Sequence, residues 1–74
     1  MPKLRPEKPT VVVRKLRRLG FEGPFGGGLH VVMRHPQTGQ KISVPMHKKR
    51  DLPLGTLRAI VRAAGVSVEQ WNEL

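Results

Sequence analysis

Three histidines are the residues of this 74-residue chain best suited to acid–base chemistry: His30, His35 and His47. Histidine titrates near neutral pH, so an imidazole can take the proton from a ribose 2′-hydroxyl while nearby cations stabilise the charge that develops on the phosphate. His30 is the sharpest candidate because it comes shortly after a run of glycines, in which Gly27 and Gly28 would let a substrate approach the backbone. An ordinary exposed histidine is the alternative interpretation, and spacing alone favours it.

The other two histidines suggest less chemistry. His35 precedes Pro36 at a turn, which favours a structural role such as a turn hydrogen bond. His47 begins a basic loop, where a packing or loop role competes with a phosphate contact. The histidine spacings of five and twelve match no recognised metal-ligand pattern, and the chain has no cysteine for a disulfide, a thiolate zinc site or a thiol nucleophile. We therefore expect neither a metal nor another cofactor.

Basic residues outnumber acidic ones and lie in two blocks. The chain has 14 Lys and Arg against 5 Asp and Glu, for a net charge of +9. Residues 1–20 carry +6 and residues 41–62 carry +5, whereas residues 21–40 between them are neutral. This excess favours a polyanionic partner, most often RNA or DNA, over a merely solvated surface. The expected phosphate contacts, which position RNA without reading its sequence, are Arg14, Arg17, Arg18, Arg34, Lys41, Lys48, Lys49 and Arg50.

A helix is expected to position the first basic block. Residues 11–19 have apolar side chains at helical spacing, with Thr10 placed to cap the helix and Gly20 placed to end it. The opposite, basic side carries Arg14, Arg17 and Arg18, with Lys15 beside them.

Strands are expected to position His30. Residues 21–25 allow a short strand, and residues 28–34 and 41–46 alternate on either side of a turn at 36–39, which predicts a hairpin. Leu29, Val31 and Met33 lie on its apolar face. The polar face carries His30, Arg34, Lys41 and Ser43.

Two helices complete the predicted fold. Leu57, Ile60, Val61 and Ala64 form a helical stripe that ends at Gly65. Ser67 with Gln70 resembles the capping box of a short final helix, with Val68, Trp71 and Leu74 facing inward. We expect an α+β domain, α-β-β-β-α with a short extra C-terminal helix, whose three-stranded antiparallel sheet has helices on one side. It would be one domain over residues 1–74, with an irregular basic arm at 1–9, a core at 10–66 and the short helix at 67–74.

Membrane and export functions are not expected. No apolar run approaches the ~20 residues of a membrane span, and the N-terminal residues lack the apolar stretch of a secretory signal. The apolar stripes are used by the core, so we expect a soluble cytoplasmic protein without a membrane partner. Base stacking is not expected as the main binding mode, because the aromatic residues are one Trp and two Phe, and Trp71 fits core packing.

Several short motifs, taken in order, resemble the HicA family of small bacterial toxins, which are ribonucleases that cleave mRNA. The resemblance runs from about residue 11 to residue 65, and its motifs are Leu19-Gly20-Phe21, Gly28-Leu29-His30, His35-Pro36, Val44-Pro45-Met46-His47, Asp51-Leu52-Pro53-Leu54-Gly55-Thr56-Leu57 and Ala64-Gly65. It implies a fold similar to double-stranded-RNA-binding domains and a metal-independent nuclease in which His30 is catalytic. It also implies an antitoxin partner of the HicB type that covers the active surface.

The chain departs from the family pattern at two places. Family members usually have Ser or Gly directly before the histidine, where this chain has Leu29, and many carry Arg or Lys in the first strand or its turn, where this chain has Gly23, Pro24, Phe25 and Gly26. Both changes remove polar or cationic contacts near the expected scissile phosphate. Two hypotheses therefore stand: an mRNA interferase that cleaves single-stranded RNA with His30 and is inhibited by a cognate antitoxin, or a non-catalytic module of the same fold that binds RNA or an antitoxin.

Overall fold

The computed structural model describes residues 2–47 and 49–74, which form three helices and three strands. Their order is α1 (Pro9–Arg18), β1 (Glu22–Phe25), β2 (His30–Arg34), β3 (Lys41–Pro45), α2 (Leu54–Ala64) and α3 (Val68–Asn72). The strands form one antiparallel sheet in the order β1-β2-β3. The expected α+β class and the α-β-β-β-α order with an additional C-terminal helix are confirmed.

Helices α1 and α2 pack on one face of the sheet and form the core with it. The alternation expected for β2 and β3 is confirmed, because Val31, Met33, Ile42 and Val44 are buried. Leu29 is the exception: it was expected on the apolar face but is 72% exposed, because it precedes β2. The helices contribute most of the other large buried side chains of the core, including Val12, Leu16, Leu57, Ile60 and Trp71, and the connecting segments add Phe21 and Leu52.

The ends of the helices follow local chemistry, with one correction. Helix α1 begins at Pro9, which suits a first helical turn because it has a fixed φ and no N–H to leave unpaired. The prediction that Thr10 caps this helix is wrong, since Thr10 already lies inside it and the N-cap residue is Lys8. The capping box of α3 is confirmed: the Ser67 hydroxyl accepts from the Gln70 amide at 3.0 Å, and the Gln70 side chain accepts from the Ser67 amide at 2.9 Å.

Strand β1 contains a bulge that changes which face its side chains use. Glu22 pairs with Arg34 and Phe25 pairs with Val32, so three steps along β1 match two along β2. The extra residue defines a β-bulge. Gly23 permits it, because φ there is +131° and a Cβ would come within 2.8 Å of the Val32 carbonyl oxygen. Phe25 is consequently 52% exposed, whereas strict alternation would have turned it toward the core.

Residues 2–8 form neither helix nor strand, yet the segment is fastened to the domain through Glu7. One carboxylate oxygen of Glu7 lies 2.5 Å from Lys15 Nζ, and the other accepts a hydrogen bond from Trp71 Nε1 at 2.8 Å. The Lys15 ammonium also lies 5.4 Å from the centroid of the Trp71 ring. Lys15 is only 7% exposed. Its expected place beside the basic outer side of α1 is therefore wrong, because Glu7 pairs with it inside the domain.

Candidate nucleic-acid interface

The face of the sheet that points away from the helices carries the candidate chemistry, and we refer to it as the open face. Its side chains alternate with the buried ones and are exposed or half-buried: Glu22, Phe25, His30, Val32, Arg34, Lys41, Ser43 and Pro45. Cross-strand pairing arranges them in three rows. One end of the face has Glu22, Arg34 and Lys41, the middle has Phe25, Val32 and Ser43, and the other end has His30 and Pro45.

His30 lies at the start of β2 with an unobstructed flank. Its side chain is exposed on the open face, as alternation predicts. A Cβ at Gly26 would lie 3.7 Å from the His30 carbonyl oxygen, and at Gly27 and Gly28 it would meet nothing within 4 Å among the described atoms. The glycine segment 26–28, which leads from β1 toward His30, therefore has no side chain that would obstruct a sugar–phosphate chain.

Arg34 and Lys41 lie opposite each other at the far end of the open face from His30. Arg34 is four residue steps from His30 along the extended strand β2, which corresponds to about 13 Å. The carboxylate-bearing Glu22 is the cross-strand partner of Arg34 and reduces the positive charge of this row. These two cations therefore lie at a different position on the open face from His30.

The loop after β3 begins at the same end of the face as His30, because Pro45 is the cross-strand partner of His30. Lys49 and Arg50 are exposed in this loop. The Arg50 amide donates to the His47 carbonyl oxygen at 3.2 Å, and Lys8 Nζ donates to the Lys49 carbonyl oxygen at 3.2 Å. Lys48, which the sequence placed in the same cluster, lies outside the described residues.

The basic residues of α1 are on another surface. Arg14, Arg17 and Arg18 are exposed on the outer side of this helix, together with Thr10. Because α1 packs against the face of the sheet opposite to His30, the structure does not bring these three arginines together with the histidine. The arginines of α1 and the open-face cations Arg34 and Lys41 thus lie on opposite sides of the sheet.

The remaining histidines differ in their surroundings. His35 packs edge-on against Phe21, with ring centroids 5.0 Å apart, and its Nδ1 accepts from the Gln37 amide at 3.2 Å. The structural role expected for His35, including a turn hydrogen bond, is confirmed. His47 is exposed, and its carbonyl oxygen takes part in the loop turn described above.

Comparison with protein families decides the affiliation. The family model described as the HicA toxin of bacterial toxin–antitoxin systems matches residues 10–66, well over half of the 74 residues. The chain belongs to the HicA toxin family. The family generally consists of ribonuclease toxins that act on mRNA and pair with an antitoxin. A search of curated proteins found no match.

No group of three or more His, Cys, Asp or Glu side chains that could hold a metal ion occurs among residues 2–47 and 49–74. In the same part of the chain, none of the helices combines the length and the apolarity needed to cross a bilayer.

The exposed aromatic side chain of Phe25 is the feature of the open face that the sequence interpretation missed. Periodicity could not find it, because the bulge at Gly23 shifts the register of β1 by one residue. A Gly-Pro pair inside a strand was the available signal, since both residues are typical of bulges and edge strands.

Proposed function

We propose that this HicA-family chain is a metal-independent endoribonuclease that cleaves single-stranded mRNA in the cytoplasm with His30 as its catalytic residue. We further propose that a HicB-type antitoxin inhibits it by covering the open face. The observation that carries the proposal is the exposed imidazole of His30 at the end of this face, beside the unobstructed backbone of Gly27 and Gly28.

The chemistry needs one proton removed and one delivered. The imidazole of His30 takes the proton of the ribose 2′-hydroxyl, the 2′ oxygen attacks phosphorus, and the bond from phosphorus to the 5′ oxygen breaks. The departing 5′ oxygen then receives a proton from the imidazolium or from water, so that the products are a 2′,3′-cyclic phosphate and a 5′-hydroxyl. Alternatively, a protonated His30 serves as the acid at the departing oxygen while water takes the first proton.

The cations take different parts in this proposal. Lys49 and Arg50 would stabilise charge at the reacting phosphate, because their loop begins at the same end of the sheet as His30, and Lys48 is assigned to the same role from the sequence alone. Arg34 and Lys41 would hold a neighbouring phosphate at the other end of the open face. The arginines of α1, which are Arg14, Arg17 and Arg18, would contact only an RNA that continues round the domain.

A cleavage assay in EDTA tests the catalytic assignment. Single-stranded RNA is incubated with the wild type, with His30→Ala and with His30→Asn, which keeps a polar side chain of similar size without acid–base capacity. We expect the wild type to leave 2′,3′-cyclic phosphate ends and both variants to bind RNA equally without cleaving it. Equal cleavage by all three proteins would remove His30 from the mechanism, and loss of wild-type cleavage in EDTA would refute metal independence.

The second candidate function is a non-catalytic module that binds RNA or an antitoxin. The observation that favours it is the apolar surroundings of the histidine, since Leu29 directly before it is 72% exposed and Phe25 is 52% exposed. This function predicts that the wild type and His30→Ala bind the same ligand with the same affinity while neither cleaves RNA.

A further inference from the structure

We propose that Phe25 forms a nucleobase-stacking subsite on the open face, which holds the base next to the phosphate that contacts His30. This inference rests on the proposed function and adds a ligand contact that the amino-acid pattern did not suggest. The ligand class is a single-stranded nucleotide whose base is unpaired and free to stack.

The fold holds Phe25 outside by a specific local structure. The one-residue bulge sets Phe25 opposite Val32, and Gly23 is the residue that the bulge requires because of its positive φ and its 2.8 Å Cβ approach to the Val32 carbonyl oxygen. Phe25 keeps 52% of its surface exposed in this position. An aromatic ring that the backbone presents on the surface is available for stacking, and with two side-chain torsions it has little conformational entropy to lose on binding.

The ring lies within one nucleotide of the candidate catalytic group. Val32, the partner of Phe25, is two residues from His30 along β2, so Phe25 and His30 are diagonal neighbours on the same face. Diagonal positions in a sheet are about 7–8 Å apart, within reach of aromatic side chains. A phosphate placed at His30 would therefore leave an adjoining base within reach of Phe25, and the half-buried Val32 and the exposed Ser43 come next in the same cross-strand row.

The charged groups around Phe25 favour a nucleotide over an apolar protein surface. The Phe25 row lies between the His30 row and the row that contains Arg34 and Lys41, so the ring is flanked on both sides by groups that suit phosphates. Apolar side chains also occur here, since Val32 and Pro45 are half-buried on the open face and Leu29 is exposed beside it, but the polar or charged His30, Ser43, Arg34 and Lys41 interrupt them. Aromatic stacking accepts every base, so the subsite should show little sequence preference.

The test uses His30→Ala as the background, because this variant allows RNA binding to be measured without cleavage. Fluorescence anisotropy gives Kd for a short single-stranded RNA with Phe25→Ala, Phe25→Leu and Phe25→Trp added singly. We expect Phe25→Ala to weaken binding by about 5- to 150-fold, Phe25→Leu to weaken it nearly as much, and Phe25→Trp to retain it. RNAs with one abasic nucleotide, placed in turn at each position, should include one on which the Phe25→Ala effect disappears.

The outcomes separate this subsite from the proposed nuclease. If Phe25→Ala binds RNA as tightly as the background, or if Phe25→Leu does, stacking by Phe25 is refuted while cleavage by His30 stands on its own assay. An effect of Phe25→Ala that persists on every abasic RNA also refutes stacking. If Phe25→Ala weakens only antitoxin binding, the ring is a protein contact. If the background binds no RNA at all, the subsite and the proposed function both fail.

Discussion

Among substitutions of the basic residues, we expect Lys15→Met to lower the stability of the domain most, because Lys15 is buried. The side chains of Lys15 and Glu7 are 8% and 13% exposed, and their charged atoms lie 2.5 Å apart. Replacing lysine by methionine keeps the length of the side chain and removes only the ammonium. The Glu7 carboxylate then remains largely buried, with the hydrogen bond from Trp71 Nε1 as its remaining side-chain contact among those described.

The expected loss is large relative to the stability of so small a domain. Removal of one partner from a buried ion pair costs about 3–5 kcal/mol, and the partial water access of Glu7 favours the lower end, near ~3 kcal/mol. A domain of this length has roughly 4–11 kcal/mol of total stability. With a slope of about 1 kcal/mol per molar urea, the midpoint of unfolding should fall by roughly 3 M.

Urea unfolding can follow the change through the fluorescence of Trp71, the single tryptophan of the chain, with circular dichroism as a second probe. The matched control is Lys8→Met, because Lys8 pairs with Asp51 at 3.5 Å but both side chains are nearly half exposed. That exposed pair should contribute less than about 1 kcal/mol. The loss of stability in the double variant Lys15→Met/Glu7→Gln should be about 1–3 kcal/mol smaller than the summed losses of Lys15→Met and Glu7→Gln, because the double variant leaves no unpaired buried charge. Additive losses, or a Lys15→Met midpoint equal to that of the control, would refute the reasoning.

Three further predictions concern the bulge, a helix cap and the RNA surface. Gly23→Ala should lower stability by about 1–3 kcal/mol in thermal unfolding, whereas Gly27→Ala should not, because only at Gly23 does a Cβ meet backbone at 2.8 Å. Ser67→Ala should cost about 1 kcal/mol in the same measurement by removing the capping box. For a short single-stranded RNA, Lys41→Gln should reduce the slope of log affinity against log salt by about 0.7, whereas Arg17→Gln should reduce it much less. The reverse result would place the RNA on α1.

The elements could be predicted from the sequence because burial on one side imposes a period. The alternation in β2 and β3 and the helical stripe of α2 each follow from contact with a single apolar core, so they gave the correct faces. The position of Lys15 could not be obtained in this way. Its partners Glu7 and Trp71 lie far apart in the sequence, and a local pattern places a lone lysine in solvent when its partner is not visible.

The candidate site was only partly accessible to the same reasoning. The outward orientation of His30 follows from the alternation of β2, which is regular. The orientation of Phe25 does not follow, because one extra residue in β1 exchanges the two faces of the strand beyond it. The clustering of the cations follows from the sequence, but charge along a chain does not show on which surface of the fold each cation will lie.

The separation of the two basic surfaces has a consequence for how affinity and cleavage relate in this protein. The arginines of α1 lie on the layer opposite to His30 and have no acidic partner among the described ion pairs, so they contribute long-range attraction to any polyanion. The open face has fewer cations, and Glu22 offsets one of them at Arg34. The attraction of RNA and its positioning for cleavage should therefore respond to different substitutions. Changes on α1 should slow RNA association in low salt, whereas changes on the open face should alter the position and the extent of RNA cleavage. An inhibitor that covers only the open face would stop cleavage and still leave the outer side of α1 able to attract RNA.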